Sequence, residues 1–559
     1  MIVPLSAAVA RRRHDVCIVG SGPAGLSLAL ELDRAGLDVM VLESGLDGVS
    51  EAHQDLAAAE RFDPARHDDM RIATARRLGG TSNLWGARCQ PMDPIDFAPR
   101  PDLREAHWPI AHDEVARHYP RAAELLTCGA PVFESAIAGL DRPSGEFMAH
   151  PVERFANEPA TQRAHRDRLA TAPGITVVTD ATVTEARFEG DRLVALGAAT
   201  RAGARHEIRA GRFVIAAGGL ESTRLLLAFQ RGKPDLCGGA RGPLGRYYMG
   251  HLIGEVADIE ITAPELDAAL DFAIDAHGSY ARHRLIPSPA LQKARNLPNT
   301  AFWPVVPPVW DARHRDGILS MVYLAFAFRP LGQRLVAEAI RKRHVPGGVA
   351  AGPHLANVLR GLRRVALYVP RFFWRRYLAT PRLPGFFLRN PARRYALAYH
   401  AEQSPRAESR VRLGRESDAL GLPKLVIELA FARSDAEALT RAHEALDRWL
   451  RENGLGRLHF RQSPEETPAA ILALAAHGTH QIGTARMGLT PRSGAVDRDL
   501  RCFGTENLYL CSSAVFPTSG QCNPTLTIVA LACRLAAHLS AGTRAAAPEP
   551  DAAVAVAAQ

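Results

Sequence analysis

Short apolar runs separated by a helix-like stretch open the chain. Residues 15–20 (DVCIVG) are apolar at consecutive positions, which is typical of a strand buried on both faces. Over residues 23–35 leucines recur among small residues, and this spacing predicts a helix. A second apolar run, 37–42, predicts another buried strand. The three elements together have the length of a βαβ unit, whose two strands lie parallel.

The pattern of apolar and polar positions predicts further elements along the chain. Alternating apolar and polar positions around a Glu-Gly-Asp turn signal indicate an antiparallel meander. The region between about 256 and 477 is less regular, with Pro-rich aromatic loops. The predicted elements are the meander over 175–208, a buried strand over 212–219, and helices over 220–229, 434–453 and 525–538.

Length and composition describe an ordinary globular chain. It has 559 residues, of which 47% are hydrophobic and 23% charged, enough for two domains and against global disorder. The eight cysteines form no C-x-x-C pair, so neither a zinc site nor a dithiol motif is indicated. We expect no metal site, no transmembrane helix and no signal peptide, hence a soluble, cytoplasmic protein.

The basic charge is concentrated in one region, 333–394. This block holds fourteen Lys and Arg residues against one acid, Glu338, so it carries +13 while the rest of the chain sums to −4. Aromatic residues alternate with the arginines, as in 370–378 (PRFFWRRYL). Three interpretations stay open: a solvated surface over a lid, peripheral contact with an anionic membrane at its inner face, or binding of an anionic substrate or partner. No nucleic-acid-binding module is recognisable, so a nucleic-acid partner is not expected.

The first chemical motif joins the two predicted strands. Gly20, Gly22 and Gly25 form a GxGxxG pattern, and Glu43 follows eighteen residues after the third glycine. The glycines permit a tight turn, close approach of a pyrophosphate, and close packing of helix on strand. An acid at Glu43 suits ribose hydroxyls and argues against a 2′-phosphate. The motif predicts a dinucleotide but does not by itself decide between FAD and NAD.

Several later segments add a second signal. Read together and in order, they resemble the glucose-methanol-choline (GMC) oxidoreductase family, in particular its pyranose-oxidase-like and bacterial sugar-dehydrogenase branches. The resemblance covers 12–255 and 478–540. The segments are 78–86 (LGGTSNLWG), 214–222 (VIAAGGLES), 479–488 (THQIGTARMG), 507–509 (NLY) and 513–528 (SAVFPTSGQCNPTLTI).

The resemblance implies the architecture and the domain limits. The fold class is α/β (α+β overall), with a Rossmann-like FAD-binding domain assembled from both ends of the chain. A substrate-binding domain with an antiparallel sheet is inserted between the two parts. The expected limits are 12–255 and 478–540 for the FAD-binding domain, 256–477 for the inserted domain with its basic block 333–394, and 541–559 for a disordered tail.

The resemblance also implies the reaction, oxidation of a CH–OH group of a sugar, polyol or related alcohol by hydride transfer to flavin N5. By position, His480 matches the family's active-site histidine and Asn523 matches its partner. Physical chemistry agrees, because the hydroxyl proton must leave with the hydride and histidine titrates near neutral pH. His477 is the alternative base. Electrons would pass to oxygen, a quinone or another carrier.

The cofactor residues follow from the same alignment of motifs. Ser512 stands where many family members carry an aspartate, which puts a carboxylate contact at that point in doubt. Leu84 stands where some members carry a histidine bonded to the flavin, so we expect FAD to be held noncovalently. Asn83 either lies near the flavin or caps a turn. The expected FAD-binding residues are Gly20, Gly22, Gly25, Glu43, Gly80, Thr81, Asn83, Ala217, Gly218, Ser512, Pro524 and Thr525.

Two other functions compete with alcohol oxidation. A flavin-dependent reductase or monooxygenase would use NAD(P)H, but such enzymes usually need a second dinucleotide site, and no second GxGxxG with a suitable acid is present. A flavin electron-transfer subunit would turn over no alcohol. The presence of both His480 and Asn523 favours the enzyme.

Overall fold

The computed structural model describes residues 1–100, 103, 106–140, 145–336 and 338–544. Within these ranges the strands are β1 (Ile2–Pro4), β2 (His14–Val19), β3 (Val39–Leu42), β4 (Arg88–Cys89), β5 (Phe147–Met148), β6 (Val152–Phe155), β7 (Ile175–Thr179), β8 (Thr182–Glu189), β9 (Arg192–Ala199), β10 (Arg205–Ile208), β11 (Ala210–Ile215), β12 (Leu252–Ile261), β13 (Ala273–Ile274), β14 (Tyr280–His283), β15 (Ile286–Pro287), β16 (Thr300–Val305), β17 (Arg394–Ala401), β18 (Arg410–Ser417), β19 (Pro423–Glu428), β20 (Gly456–Phe460) and β21 (Leu508–Leu510).

The α-helices of the same ranges are α1 (Ala7–Ala10), α2 (Pro23–Arg34), α3 (Glu51–Gln54), α4 (Met70–Ala73), α5 (Pro94–Phe97), α6 (His112–Ala116), α7 (Tyr119–Leu125), α8 (Thr161–Ala164), α9 (Arg166–Thr171), α10 (Gly219–Phe229), α11 (Pro264–Ala269), α12 (Pro289–Arg295), α13 (Gly317–Ala327), α14 (Arg329–Leu335), α15 (Glu338–His344), α16 (Ala351–Arg360), α17 (Leu362–Phe373), α18 (Arg433–Glu452), α19 (Thr467–Leu474) and α20 (Thr525–Arg544).

A six-stranded parallel sheet forms the first layer, in the order β1-β7-β3-β2-β11-β21. The strand β2 pairs in parallel with β3 on one side and with β11 on the other. The chain therefore moves outward from β2 in both directions, and the sheet has a switch point between β2 and β11. At such a point the carboxyl ends of the strands open a crevice that suits a nucleotide.

The predicted βαβ unit forms as expected. Pro23 is the first residue of α2, where its missing N–H costs nothing, and Gly36 follows the helix at a φ of 85°. All four residues of β3 are buried, as a central parallel strand requires. The helix α2 packs against α20, and the two helices cover the sheet in the larger apolar core. The α/β fold class is confirmed.

A second apolar core lies on an antiparallel sheet with the order β16-β17-β12-β20. The amphipathic helix α18 packs here, with the fully buried Trp449 as its largest side chain. Smaller sheets of the described residues pair β13-β14-β6-β4, β15-β5 and β18-β19. The domain limits stay a prediction. Strand pairing crosses the expected limit at 255, because β5 pairs with β15 and β6 pairs with β14, both from beyond residue 270.

Three expectations for single elements are wrong. The meander predicted over 175–208 starts too early, because β7 pairs in parallel with β1 and β3, and only β8, β9 and β10 form an antiparallel sheet. All five residues of β7 are buried, so the strand lacks the alternation of β8. The residues before position 12 also contribute, since β1 is an edge strand of the parallel sheet.

The third correction concerns the expected tail, 541–559. The helix α20 continues to Arg544, six residues past the predicted end at 538, and 545–559 lie outside the described residues. In the part of the chain that the structure covers, no helix is both long and apolar enough to cross a bilayer.

Candidate active site

The sequence-predicted residues gather at the carboxyl edge of the parallel sheet. Gly20 follows β2, Glu43 follows β3, Ala217 and Gly218 follow β11, and Ser512 follows β21. Four adjacent strands thus end at one edge and point their following loops into the same crevice.

The three glycines of the first motif have different reasons to lack a side chain. Gly20 has a φ of 106°, and a Cβ there would lie 2.5 Å from the carbonyl oxygen of Ala216. A Cβ on Gly25 would collide with the carbonyl oxygen of Gly20, so this glycine sets the distance between helix and strand. A Cβ on Gly22 would meet nothing within 4 Å. Gly20 and Gly25 are therefore required by the fold, and Gly22 faces open space.

Glu43 organises the glycine loop from within the protein. Its Oε2 accepts hydrogen bonds from the backbone N–H of Ser21 at 3.2 Å and from the Ser21 hydroxyl, and its Oε1 accepts from the N–H of Gly45 at 2.7 Å. The carboxylate is buried. The expected contact with ribose stays a prediction, because these bonds already give Glu43 a structural task.

The second glycine-rich segment packs directly on the first. It forms a short 3₁₀ turn over Gly80–Asn83, and a Cβ on Gly80 would lie 2.9 Å from the Cα of Gly22. The Thr81 hydroxyl accepts from the N–H of Ala75 at 3.3 Å. Asn83 donates from Nδ2 to the carbonyls of Leu78 and Gly80 and accepts at Oδ1 from Gln162. All of its amide groups brace the turn, which favours the turn-capping alternative over a flavin contact.

The third group lies around the start of α10. Gly218 has a φ of 84°, and a Cβ on it would meet nothing within 4 Å, while the N–H of Ala217 donates to the Ser222 hydroxyl. Ser512 is buried, and its hydroxyl accepts from the N–H of Ala514 at 3.3 Å. Gln481, the residue after His480, is tied to this group, because its Oε1 accepts from the N–H of Leu220 at 2.9 Å.

These loops fit the diphosphate of a dinucleotide. No side chain caps the N-terminus of α2, so its N–H groups and the positive end of its dipole face the crevice. Gly22 and Gly218 both leave open space where a side chain would stand. The nearby Glu43 carboxylate is turned toward Ser21 and Gly45, whose backbone N–H groups donate to it.

His480 and Asn523 meet although 43 residues separate them. The Nδ2 of Asn523 lies 3.0 Å from the Nε2 of His480. Asn523 and Pro524 immediately precede α20, which begins at Thr525, so the helix start fixes the position of the amide. Among the described residues, the buried Oδ1 of Asn523 has no hydrogen-bond partner. The amide nitrogen of Asn523 therefore engages His480, while its buried amide oxygen remains available to a further donor.

Two further histidines lie behind His480. Its Nδ1 is 2.9 Å from the Nδ1 of His251, and the ring of His251 stacks on that of His400 with centroids 4.0 Å apart. Burial lowers the pKa of His251 to about 3 and that of His400 well below its usual range. Both rings are therefore neutral at neutral pH. His477 packs edge-on against His480 with centroids 4.5 Å apart.

The hydrogen-bond chain determines the tautomer of His480. The Nε2 of His251 lies 3.3 Å from the carbonyl oxygen of Ser519, which can only accept, so this nitrogen carries the hydrogen. Because His251 is neutral, its Nδ1 holds a lone pair and accepts the N–H of His480 Nδ1. His480 then presents a lone pair at Nε2, on the side of Asn523.

The group of His251, His400, His477 and His480 has the size of a metal site. Their nitrogens lie within 4.8 Å of one another. A metal ion binds an imidazole in the plane of its ring, at about 2.0 Å from the nitrogen. The rings of His251 and His400 are stacked, with an angle of 24° between their planes. An ion at bonding distance in the plane of one ring would therefore lie outside the plane of the other ring. His480 and His251 are hydrogen-bonded to each other, and His400 binds the carbonyl of Gln521. The expectation of no metal stays a prediction.

Sequence reasoning missed His251 and His400. His251 stands one residue before β12, and His400 lies within β17, whose eight residues include one exposed position. A single histidine in an apolar strand carries no motif. The two histidines come together only because β12 and β17 are antiparallel neighbours in the sheet, although more than 130 residues of chain separate the two strands.

Comparison with known proteins adds two family matches. Residues 15–249 match the family model described as FAD dependent oxidoreductase, and residues 405–532 match the one described as GMC oxidoreductase. The first match contains the glycine motif and Gly218, and the second contains His480 and Asn523.

Individual proteins resemble the chain over most of its length. Paromamine 6′-oxidase of Streptomyces fradiae is 25% identical over 584 residues, covering 94% of this chain and 91% of the relative. 6‴-Hydroxyparomomycin C oxidase of Streptomyces lividus is 25% identical, covering 96% and 94%. In fold the chain is similar to a fungal aryl-alcohol oxidase with a TM-score of 0.54, at 15% identity and with 95% and 99% coverage.

Proposed function

The chain belongs to the GMC oxidoreductase family of FAD-dependent enzymes that oxidise CH–OH groups, and on that premise we propose that His480 is its catalytic base and Asn523 its substrate-orienting partner. The bound flavin supplies the acceptor for the hydride. The protein must remove the hydroxyl proton and hold the alcohol carbon in position.

One observation carries this proposal, the lone pair at Nε2 of His480. The carbonyl of Ser519 orients His251, and His251 in turn accepts the Nδ1 hydrogen of His480. The basic nitrogen of His480 therefore faces Asn523 before any substrate arrives. Because Asn523 Nδ2 and His480 Nε2 are in direct hydrogen-bond contact, a substrate hydroxyl has to replace that bond; it then donates its proton to Nε2, while its oxygen accepts from the Asn523 amide. This arrangement favours His480 over His477 as the base.

We propose that FAD is held noncovalently. Leu84 occupies the position at which a histidine would bond to the flavin, and its side chain offers no nucleophile. Binding would rest on the loops after β2, β3, β11 and β21. The residues proposed for it are Gly20, Gly22, Gly25, Glu43, Gly80, Thr81, Ala217, Gly218, Ser512, Pro524 and Thr525.

We propose a sugar or a related alcohol as substrate, because paromamine 6′-oxidase resembles this chain from end to end. Oxygen, a quinone or another carrier would reoxidise the flavin.

We also propose a peripheral contact with an anionic membrane through 333–394, a segment that contains fourteen basic residues and one acid.

Anaerobic flavin reduction tests the catalytic proposal. The holoenzyme is mixed with a panel of sugars and alcohols, and bleaching of the oxidised flavin band identifies a substrate. With that substrate, His480→Gln should slow flavin reduction by about 10²- to 10⁴-fold, the usual contribution of a general base. Asn523→Ala should slow it as well. Exposed His277 offers a matched control, His277→Gln, which should reduce flavin at the wild-type rate.

Two outcomes would contradict the proposal. Unchanged flavin reduction in His480→Gln would exclude His480 as the base. Bleaching by NADH or NADPH with no response to any alcohol would indicate the reductase or monooxygenase alternative. Readmitting air after bleaching distinguishes an oxidase from a dehydrogenase.

A further inference from the structure

Large apolar side chains are exposed in one part of the surface. Among the described residues, ten of the eighteen exposed large apolar side chains lie between positions 328 and 378. Two of them, Leu359 and Leu367, are 70% and 71% exposed. Exposed apolar residues scattered singly are ordinary, but a concentration of this kind marks an interaction site. We name this set the apolar face: Phe328, Leu331, Leu355, Leu359, Leu362, Leu367, Val369, Phe373, Trp374 and Leu378.

The helix α17 exposes apolar side chains on two sides. Leu362, Val369 and Phe373 recur at intervals of seven and four residues and form one stripe. Leu367 lies on another side, between Arg364 and Arg371, which stand three residues before it and four after it. The inward contacts of the helix are few, and Val365 is its one buried residue. A helix with this pattern is typical of the membrane interface.

The helices under the apolar face hold it in a fixed arrangement. In α16, Leu355 and Leu359 are exposed while His354, Asn357 and Val358 are buried. The Nδ2 of Asn357 donates to the carbonyl of Ala312 and to the Ser320 hydroxyl of α13. The helix α13 packs against α14, α16 and α17. The exposed leucines therefore stand on an anchored layer.

We propose that the apolar face inserts into the interfacial region of an anionic membrane, with α16 and α17 lying in the plane of the surface. The inference rests on the proposed membrane contact and goes beyond it, since that contact could be made by charge alone. Charge complementarity identifies the occupant, because the block around these helices carries fourteen basic residues and one acid and stays strongly basic although acids outside it pair with Arg364, Arg389 and Arg394. Trp374, 60% exposed beside Arg375 and Arg376, is the type of residue that anchors at the interface.

Vesicle partitioning of the intact holoenzyme tests insertion. The probes are vesicles of phosphatidylcholine alone and of phosphatidylcholine with phosphatidylglycerol. We expect binding to the mixed vesicles, with a fraction that stays bound at high salt. Leu359→Ser and Leu362→Ser should each lower partitioning about tenfold, since each removes one leucine side chain from the lipid. Leu489→Ser is the matched control, because Leu489 is 66% exposed but lies outside the apolar face.

Fluorescence quenching measures how deeply the bound enzyme enters the bilayer. Lipids brominated on the acyl chain should quench part of the tryptophan fluorescence of the bound enzyme, and Trp374→Phe should abolish that part. Binding that is fully released by salt, with both leucine variants equal to wild type, would overturn insertion and leave electrostatic contact. No binding to any vesicle would overturn both. Alcohol oxidation with a soluble substrate is measured in parallel, so failure here is distinguishable from failure of the catalytic proposal.

Discussion

We predict that His251 affects the proposed proton transfer through its hydrogen bond to His480. Its Nδ1 accepts the Nδ1 hydrogen of His480, and this bond is stronger when His480 is protonated, because the donor is then charged. Removing the acceptor should therefore lower the pKa of His480. In His251→Ala we expect the acidic limb of the kcat/KM profile to move to lower pH and kcat to fall at least about tenfold, with KM little changed.

The conservative variant separates positioning from general damage. In His251→Gln the amide oxygen can accept the same hydrogen, so part of the lost kcat and of the shifted pH profile should return. A purely structural role for His251 would reduce the amount of folded enzyme and leave the pH profile of the remaining activity unchanged.

Gly20 and Gly22 should respond differently to the same substitution. Gly22 has a φ of −69° and open space around its Cβ position, so Gly22→Ala should leave unfolding of the apoenzyme unchanged and weaken FAD binding. Gly20 has a φ of 106°, and Ala216 blocks its Cβ position, so Gly20→Ala should destabilise the fold by at least about 1 kcal/mol. Chemical denaturation and FAD titration of each variant check this. Equal loss of stability in both would contradict it.

Residues embedded in motifs could be predicted from the sequence, and those that act only through space could not. His480 and Asn523 stand in segments with several recognisable neighbours, and the structure brings them within hydrogen-bond distance. His251 stands alone just before β12, and His400 stands alone within β17. Their effect on His480 depends on the pairing of β12 with β17 and on burial, which lowers their pKa values. Neither the pairing nor the burial can be predicted from the spacing of residues near each histidine.

Elements made by local contacts were predicted well, and those made by distant pairing were not. The βαβ unit formed by β2, α2 and β3 depends on a glycine turn, a proline start and a short crossover, all visible within about 30 residues. The strand β7 pairs with β1, which lies more than 170 residues earlier. Its neighbours in sequence are antiparallel strands, so local patterning grouped it with them.

The helix α18 carries a buried histidine that should make the second core sensitive to acid. Burial lowers the pKa of His443 to about 4, against about 6.5 in an unfolded chain. Between these values the unfolded chain binds a proton that the folded chain does not, so stability falls as pH falls through this window. His443→Leu should therefore flatten the decline in unfolding free energy between pH 7 and 5, by about 1–2 kcal/mol.

Denaturant unfolding of His443→Leu and wild type at both pH values measures this difference. Exposed His277 provides the control, and His277→Leu should retain the wild-type slope. Parallel pH profiles for His443→Leu and wild type would show that His443 takes up its proton equally in both states.

At the scale of the whole molecule, the proposed FAD site joins the two ends of the chain. The loops after β2 and β3 come from the first 45 residues, whereas Ser512, Pro524 and Thr525 come from the last 50. Because β11 pairs with both β2 and β21, the sheet holds these loops side by side. FAD would contact both ends and should stabilise their association.

Linkage makes this contact measurable. A ligand that binds only the folded state stabilises it by about 2.7 kcal/mol at a free concentration one hundred times its Kd. We expect the apoenzyme, prepared by removing FAD under mild denaturing conditions, to unfold at a lower temperature, and added FAD to restore the midpoint in a concentration-dependent way. Gly22→Ala should need more FAD for the same gain. If yellow colour instead stays with the polypeptide after full denaturation and filtration, the flavin is covalently bound and the role of Leu84 is wrong.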